Sequence, residues 1–323
     1  MNKLISFGEV LVDQIKVITG SPAISFAGGA PANVAACYAK LGGKSFFIGG
    51  MATDDKAKFL LEELNKVGVN TDFVKVFPNS KTATAIVTLD NNNERSFEIL
   101  RDATADTLFK KEHLDEHIFK QSLFFHFCSN TLTEQMLYET TLSAVDLVRH
   151  NDMLVCFDVN LRFDLWSSQT MIEKRVSSFI TSCDIIKMSL EELDFLASQA
   201  GKSHDEYILR CIDSGVSLVL VTDGKNPIIC KTATTLINIT PPSIIVEDST
   251  GAGDAFIGSF LWYLGKNISD KKDFLDFLAS EKRLKEALKF SAICGAITCK
   301  TKGAFAALPN KKDVDEFAPY ILE

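Results

Sequence analysis

The sequence predicts an α/β protein built on a mainly parallel central sheet with helices on both faces, and three observations carry that prediction. Short apolar runs rich in β-branched residues alternate with longer stretches of helical periodicity through most of the 323 residues, as in consecutive βαβ units. A period-two hairpin pattern breaks that rhythm once and predicts a second, smaller sheet. Two glycine clusters each introduce a helical stretch, a position that leaves backbone N–H groups without intrahelical partners.

The first strand, 4–7, is an apolar run closed by Gly8. Gly28 and Gly29 introduce a helix over 30–41, with Pro31 in the first turn, where its missing N–H costs nothing. A further helix is expected over 55–67. Residues 82–89 place Ala83, Ala85, Val87 and Leu89 on one face. After an asparagine-rich turn at 90–93, the run 95–100 returns with Phe97 and Ile99, completing an antiparallel hairpin. The stretch 13–26 also reads as extended, so the two segments together predict a small sheet projecting from the core. One apolar face of that sheet must be covered, by a ligand, by another subunit or by both. Helices at 133–149, 170–182, 190–199 and 204–214 then alternate with strands at 154–157, 184–188 and 217–221. A strand-like 244–246 precedes the last two helices, 253–264 and 282–299, neither of which contains proline.

Composition narrows the function classes. With 46% hydrophobic and 24% charged residues the chain is an ordinary water-soluble globular protein, and its length suits one large core carrying a subdomain. The 34 Lys and Arg stand against 42 Asp and Glu, a net charge of -8 that gives nothing to neutralise nucleic acid or an anionic bilayer. No run approaches a membrane span and Glu9 interrupts the N-terminus too early for a signal peptide, so the cytoplasm is expected. The eight cysteines lie in apolar segments without a CxxC pair and read as reduced core residues. His113 and His117 have the i, i+4 spacing of a helical metal pair, but their setting is polar and lacks a third ligand, which favours a solvated helix face.

The most informative run is Asp248-Ser249-Thr250-Gly251-Ala252-Gly253-Asp254. Small residues at a helix start make an anion hole, and the helix dipole favours the charge that gathers on a phosphoryl group in flight. Asp254 beside that hole can take the proton of an attacking alcohol, or it can simply cap its own helix. In the Gly28-Gly29-Ala30-Pro31-Ala32-Asn33 cluster, Asn33 can both donate and accept, as recognition of vicinal hydroxyls requires; the alternative is a packing turn with a solvated amide. Known nucleotide motifs fail. Tyr38 and Leu196 stand where a P-loop ending at Gly43 or Gly201 needs glycine, and Phe256 occupies the third position of a GxGxxG fingerprint, which makes a dehydrogenase a poor fit.

GGAPANVA at 28–35 and DSTGAGDAF at 248–256 resemble the N- and C-terminal signatures of the ribokinase-like (PfkB) carbohydrate kinases. RDATAD at 101–106, DVNLR at 158–162 with Leu165-Trp166, KMSLEE at 187–192 and the terminal KGA and ALP elements follow the fructokinase branch in order and spacing. The resemblance implies a Rossmann-like three-layer α/β/α core formed by 1–12, 27–81 and 108–323, with 13–26 and 82–107 as a β-sheet lid. It implies transfer of the γ-phosphoryl group of MgATP to the 6-hydroxyl of D-fructose, with Asp254 as base and Gly251, Ala252 and Gly253 as anion hole. Asp13, Gly28, Gly29 and Asn33 match sugar-contacting positions, and Asn160 falls with them. Arg101 and Arg162 match charged positions near the phosphoryl path, Arg101 otherwise being a solvated strand end.

On the nucleotide side the resemblance implies Lys187 close to phosphate, with Ser189, Thr222, Gly224 and Ser291 among the ATP-binding residues. Ser189 and Ser291 stand where many relatives carry Asn, and Asn226-Pro227 replaces a frequent glycine. Glu192 matches the acid that supports magnesium through water, although a plain acidic helix start fits it too. Asp248 and Thr250 match part of a potassium site. A homodimer through the lid follows from family habit and from the apolar face. Val159 stands where most fructokinases carry proline, which keeps a kinase for aminoimidazole riboside, ribose or 2-keto-3-deoxygluconate open. A catalytically silent sensor would show damage to the base or the anion hole, and both motifs are intact.

Overall fold

The computed structural model describes residues 2–17, 23–89 and 95–317. The strands are β1 (Lys3–Phe7), β2 (Leu11–Val17), β3 (Ile24–Gly28), β4 (Lys44–Met51), β5 (Val74–Val76), β6 (Thr84–Leu89), β7 (Arg95–Leu100), β8 (Phe124–Cys128), β9 (Leu154–Asp158), β10 (Ile185–Ser189), β11 (Leu218–Asp223), β12 (Asn226–Lys231) and β13 (Leu236–Ile239). Nine of them form one sheet in the order β13-β12-β11-β10-β9-β8-β1-β4-β5, parallel except at β12 and β13. Successive strands run outward from β1 in one direction through β4 and from β8 in the other through β11. The carboxyl ends of β1 and β8 therefore meet at a topological switch point, where α/β sheets bind ligands.

The central strands are buried on both faces, and their alternation builds two cores. Ile5, Phe7, Phe125, Phe127, Val155, Phe157 and Ile186 face one layer of helices. Leu4, Phe124, Leu154, Cys156 and Ile185 face the other, where Ala30–Lys40, Ala252–Asn267 and Glu281–Thr298 pack. Glycine sets the spacing of that second layer. A Cβ on Gly258 would lie 3.0 Å from the Val34 carbonyl oxygen and from Cys37 Cβ, and one on Gly295 would lie 3.2 Å from the Ala252 carbonyl oxygen. These close approaches bring the starts of the Ala30 and Ala252 helices together above the switch point.

The eight helices expected from periodicity are all present, with ends displaced by three residues or fewer, as in Gln135–His150 and Ala252–Asn267. The four expected strands fall on β1, β9, β10 and β11. The second sheet has the order β3-β2-β6-β7, in which β2–β3 and β6–β7 are antiparallel and β2–β6 is parallel. The expected turn at 90–93 lies outside the described residues. Residues Ala105–Leu108 already leave this sheet for a 3-10 turn against β4, where a Cβ on Gly50 would meet the Ala105 carbonyl oxygen at 2.0 Å.

Two expectations are corrected. Residues 244–246 form no strand: Pro241 and Pro242 cannot donate ladder hydrogen bonds, the sheet ends at β13, and Ile245 is 93% exposed. His113 and His117 do not share a helix, because a 3-10 turn (Lys111–His113) ends before Glu116–Phe119 begins; His113 Nδ1 accepts from the Lys110 amide instead. All eight cysteines are free and seven are buried. Among the described residues, no helix is long and apolar enough to cross a membrane.

Candidate active site

Two cavities of about 450 and 440 Å³ meet at the N-terminus of the Ala252–Asn267 helix, where both are lined by Ser249 and Gly253. The first is polar. Leu11, Asp13, Phe26, Ala85 and Ile99 of the small sheet, with Arg101 just past its last strand, form one side, and Glu9, Gly29, Asn33, Asn130, Asn160, Arg162, Gly251 and Asp254 belong to the core side. The second is mostly apolar, between the irregular 240–246 segment and the Glu281–Thr298 helix. Ile228, Pro241, Pro242, Ile244, Val246, Phe256, Ala292 and Ala296 line it, with Thr222 and Gly224 at the end of β11.

Asp254 sits in the first turn of its helix but does not cap it. Gly251 is the N-cap, in the left-handed region at φ 79°, and it offers no side chain. The Asp254 carboxylate instead accepts from Asn33 Nδ2 at 2.7 Å and from Asn160 Nδ2 at 3.2 Å. Asn160 holds that position with φ 40°, an uncommon conformation for a non-glycine residue and one that recurs at functional sites. Burial pushes the Asp254 carboxyl above the usual carboxylate range, against the pull of the two amides, Lys187 and Arg162. A partly desolvated carboxylate of raised basicity, beside amides with no intrahelical acceptor, can take a proton while its helix holds an anion.

Both asparagines leave their carbonyl oxygens buried without a partner, and so do Glu9 Oε2 and Asn130 Oδ1 in the same cavity wall. Buried acceptors left open in this way call for a ligand rich in hydroxyl donors. Asp13 lies over Gly28, where a Cβ would come 2.2 Å from its Oδ2, so only glycine lets this carboxylate settle on the backbone. Burial pushes Asp13 up to about 6; Arg162 opposes the shift, and Asp254 and Asp248 add to it. Gly29, at φ 102°, turns the chain into the Ala30 helix with Asn33 one turn on.

The other expected site residues divide. Lys187 Nζ bonds both Asp158 oxygens at 3.0 and 3.1 Å and lies 2.9 Å from where a Gly253 Cβ would stand. Burial opposes its charge, but Asp158, Glu192 and Asp254 hold it above the ordinary lysine range, so a fixed cation backs the first turn. Arg162 is exposed at the cavity's edge and donates to the Leu161 carbonyl. Arg101 is no solvated strand end: it is buried, with Nε 2.6 Å from Asp106 and its other nitrogens on Thr133 and the Asn130 carbonyl. Asp248 Oδ1 accepts from the Thr250 amide and hydroxyl, and Oδ2 from the Gly303 amide, which ties the rim of the cavity. Ala252, Thr222 and Gly224 line the apolar cavity.

Glu192, Ser189 and Ser291 line neither cavity. Glu192 accepts from the Leu161 amide at 2.6 Å and from the Ser189 amide at 2.7 Å, while the Ser189 hydroxyl caps the same helix. Ser291 is buried and bonds back to the Ala287 carbonyl, one turn earlier in its helix. Beneath the site, His126 Nδ1 meets the Ser6 hydroxyl at 2.9 Å. Burial and Lys187 push this imidazole down to about 3, so it is neutral. Its neighbours Cys128 and Asp158 lie within reach of one ion, but both Asp158 oxygens are committed to Lys187.

The sequence reading did not single out Glu9, Asn130 and Asp158 as site residues. The available signal was the same each time: one polar residue at the carboxyl end of an otherwise apolar strand or just beyond it, where a buried polar group needs a partner.

A polar cavity with open buried acceptors and an apolar cavity meet at a helix N-terminus beside a buried carboxylate, an arrangement suited to moving an anionic group onto an alcohol. Residues 1–311 match the pfkB family carbohydrate kinases, and the chain belongs to that family. It is 35% identical over 321 residues to probable fructokinase-5 of Arabidopsis thaliana, covering 97% of this chain and 96% of that protein. The structure of fructokinase with bound ATP from Xylella fastidiosa superposes with a TM-score of 0.93 at 32% identity, covering 98% of each chain. That of aminoimidazole riboside kinase from Salmonella enterica, complexed with aminoimidazole riboside and an ATP analog, gives 0.84 at 30% identity, covering 98% of this chain and 99% of that one. The protein is a carbohydrate kinase.

Proposed function

We propose that this kinase transfers the γ-phosphoryl group of MgATP to the 6-hydroxyl of D-fructose. The observation that carries the reading is the shared wall: Gly253 lines both cavities, with Asp254 on the polar side and Ala252 on the apolar side. Fructose lies among the open acceptors of Asn33, Asn130 and Asn160, and the adenine lies between Ile228, Pro241 and Ala296. The base Asp254 takes the 6-hydroxyl proton, the 6-oxygen attacks the γ-phosphorus, and the bond from that phosphorus to the β,γ-bridging oxygen breaks to release ADP. The first-turn amides with Gly251, Ala252 and Gly253, backed by Lys187, meet the charge on the moving group. Arg162 reaches the same charge from the edge.

The segments 13–26 and 82–107 act as the lid that excludes water, supported by their five residues in the polar cavity, Asp13, Phe26, Ala85, Ile99 and Arg101. Magnesium supplies charge neutralisation on the nucleotide phosphates when bound. Glu192 suits a role through water, since each of its oxygens already accepts an amide. Potassium would sit by Asp248 and Thr250, whose interlocked side chains fix the loop that leads into the anion hole. Thr222 and Gly224 fit the nucleotide side, whereas the internal bonds of Ser189 and Ser291 give them helix-stabilising parts instead. A homodimer through the lid is supported by Ile24 and Leu100, 57% and 45% exposed, and a monomeric mass in light scattering at micromolar concentration would refute it. Reduced, buried cysteines support a cytoplasmic setting.

A second reading, a kinase of aminoimidazole riboside, is favoured by Val159 and by the likeness to the Salmonella enzyme. ADP production with MgATP and potassium, compared across fructose, ribose, mannose, 2-keto-3-deoxygluconate and aminoimidazole riboside, separates the two. Fructose leading by about tenfold in kcat/KM, or about 1.4 kcal/mol of transition-state stabilisation, is the expected result. Another acceptor in the lead would overturn the fructose assignment.

A further inference from the structure

We infer that Glu9 is a specificity-determining residue of the sugar cavity, its free carboxylate oxygen accepting a hydrogen bond from a ligand hydroxyl other than the one phosphorylated. The inference rests on the sugar-kinase reading above and names one more group that reads the sugar. Glu9 follows β1 at the switch point, is 1% exposed and lines the polar cavity. Its Oε1 accepts from Asn130 Nδ2 at 2.9 Å, whereas its Oε2 is enclosed and has no partner.

Arg101 lies close enough to oppose the effect of burial on this carboxylate, yet it does not occupy Oε2. Its own nitrogens are spent on Asp106, Thr133 and the Asn130 carbonyl. The Glu9 carboxylate thus has compensation for its charge and a donor on Oε1, while Oε2 has none, and a buried acceptor of that kind is satisfied by an incoming O–H. None of the groups that hold Asp254 holds Glu9: Asn33 and Asn160 serve the base, and Asn130 serves Glu9. Among the carboxylates of the cavity, Asp254 and Glu9 are therefore separately supported, one at the reacting hydroxyl and one available to a second.

Glu9→Gln tests this, because it keeps the acceptor for Asn130 while replacing the open acceptor by an amide donor. KM and kcat are measured for wild type and variant with fructose and with a set of monodeoxy fructoses that retain the 6-hydroxyl. The expected result is a sugar KM raised by about tenfold or more, kcat within about threefold and an unchanged KM for ATP. One deoxy analogue, lacking the hydroxyl that Glu9 reads, should show the same KM in both proteins. A sugar KM within about twofold of wild type, or an equal rise for every analogue, overturns the proposal and leaves Oε2 to a buried water. Should Glu9→Gln fail to fold, Glu9→Asp withdraws the carboxylate while keeping the charge that faces Arg101, and reads the same coupling. If the wild type phosphorylates no sugar, the kinase reading fails; calorimetric sugar binding to both proteins then still decides the part played by Glu9.

Discussion

The two cavities are nearly equal in size, about 450 and 440 Å³, and opposite in chemistry. The polar one is walled by side chains whose buried acceptors stay open, so selectivity there is expected to come from hydrogen bonds that a wrong ligand would leave unmade. The apolar one is walled by Pro241, Pro242, Ile244, Val246 and alanines, and it offers area and shape with few polar groups. Sugar recognition should therefore be sensitive to single atoms and to pH, and nucleotide recognition to volume. The wall between them should be sensitive to both.

Removing the proposed base on the polar side has the largest expected effect. Asp254→Ala lowers kcat by about 10²–10⁴-fold with sugar affinity changed only a few-fold, as steady-state kinetics and calorimetry would show. A variant that loses affinity and keeps turnover would make Asp254 a binding group. The wall itself is next. Gly253→Ala puts a Cβ 2.9 Å from Lys187 Nζ, so the ammonium or the helix start must shift. Turnover should fall by about tenfold or more, with KM raised for both substrates; a rise for only one would mean that the wall is not shared.

Filling the apolar cavity should act on one side only. Ala296→Leu is expected to raise KM for ATP several-fold, roughly 1 kcal/mol, and to leave the sugar KM alone. The smallest effect is the titration of Asp13. With Asp13 pushed up to about 6, sugar KM should rise as pH falls through 6, because the acceptor becomes protonated. For stability the sign is the reverse. The folded state binds this proton more tightly than the unfolded chain, so ionisation costs stability as pH climbs from about 4 to 6. Asp13→Asn should therefore flatten the KM profile and add roughly 1 kcal/mol of stability at pH 7 after solvent screening, read as a raised thermal midpoint. An unchanged midpoint would place the Asp13 pKa near its ordinary value.

The same contrast explains what the sequence made legible. Periodicity located the long helices because one packed face repeats along each, and backbone chemistry located Gly251–Asp254 and Gly28–Asn33 because turns and helix starts demand particular residues. Residue contacts that depend on tertiary approach were less legible. Glu9 and Asn130 lie 121 positions apart and meet only through strand order. Ser189 looked like a ligand position but serves as an N-cap, and the apolar 244–246 run looked like a strand but has no sheet neighbour. The alternative open for Arg101, a strand end in solvent, fails because Asp106, five residues on, folds back to bury it.

The most direct test of the shared wall is a structure with fructose and a non-hydrolysable ATP analog bound together. Fructose is expected among Asn33, Asn130 and Asn160 with its 6-hydroxyl within hydrogen-bond reach of Asp254, and the adenine in the Ile228–Ala296 cavity with the γ-phosphate at the first turn of the Ala252 helix. A sugar whose 6-hydroxyl points away from Asp254, or a nucleotide in the polar cavity, would contradict it.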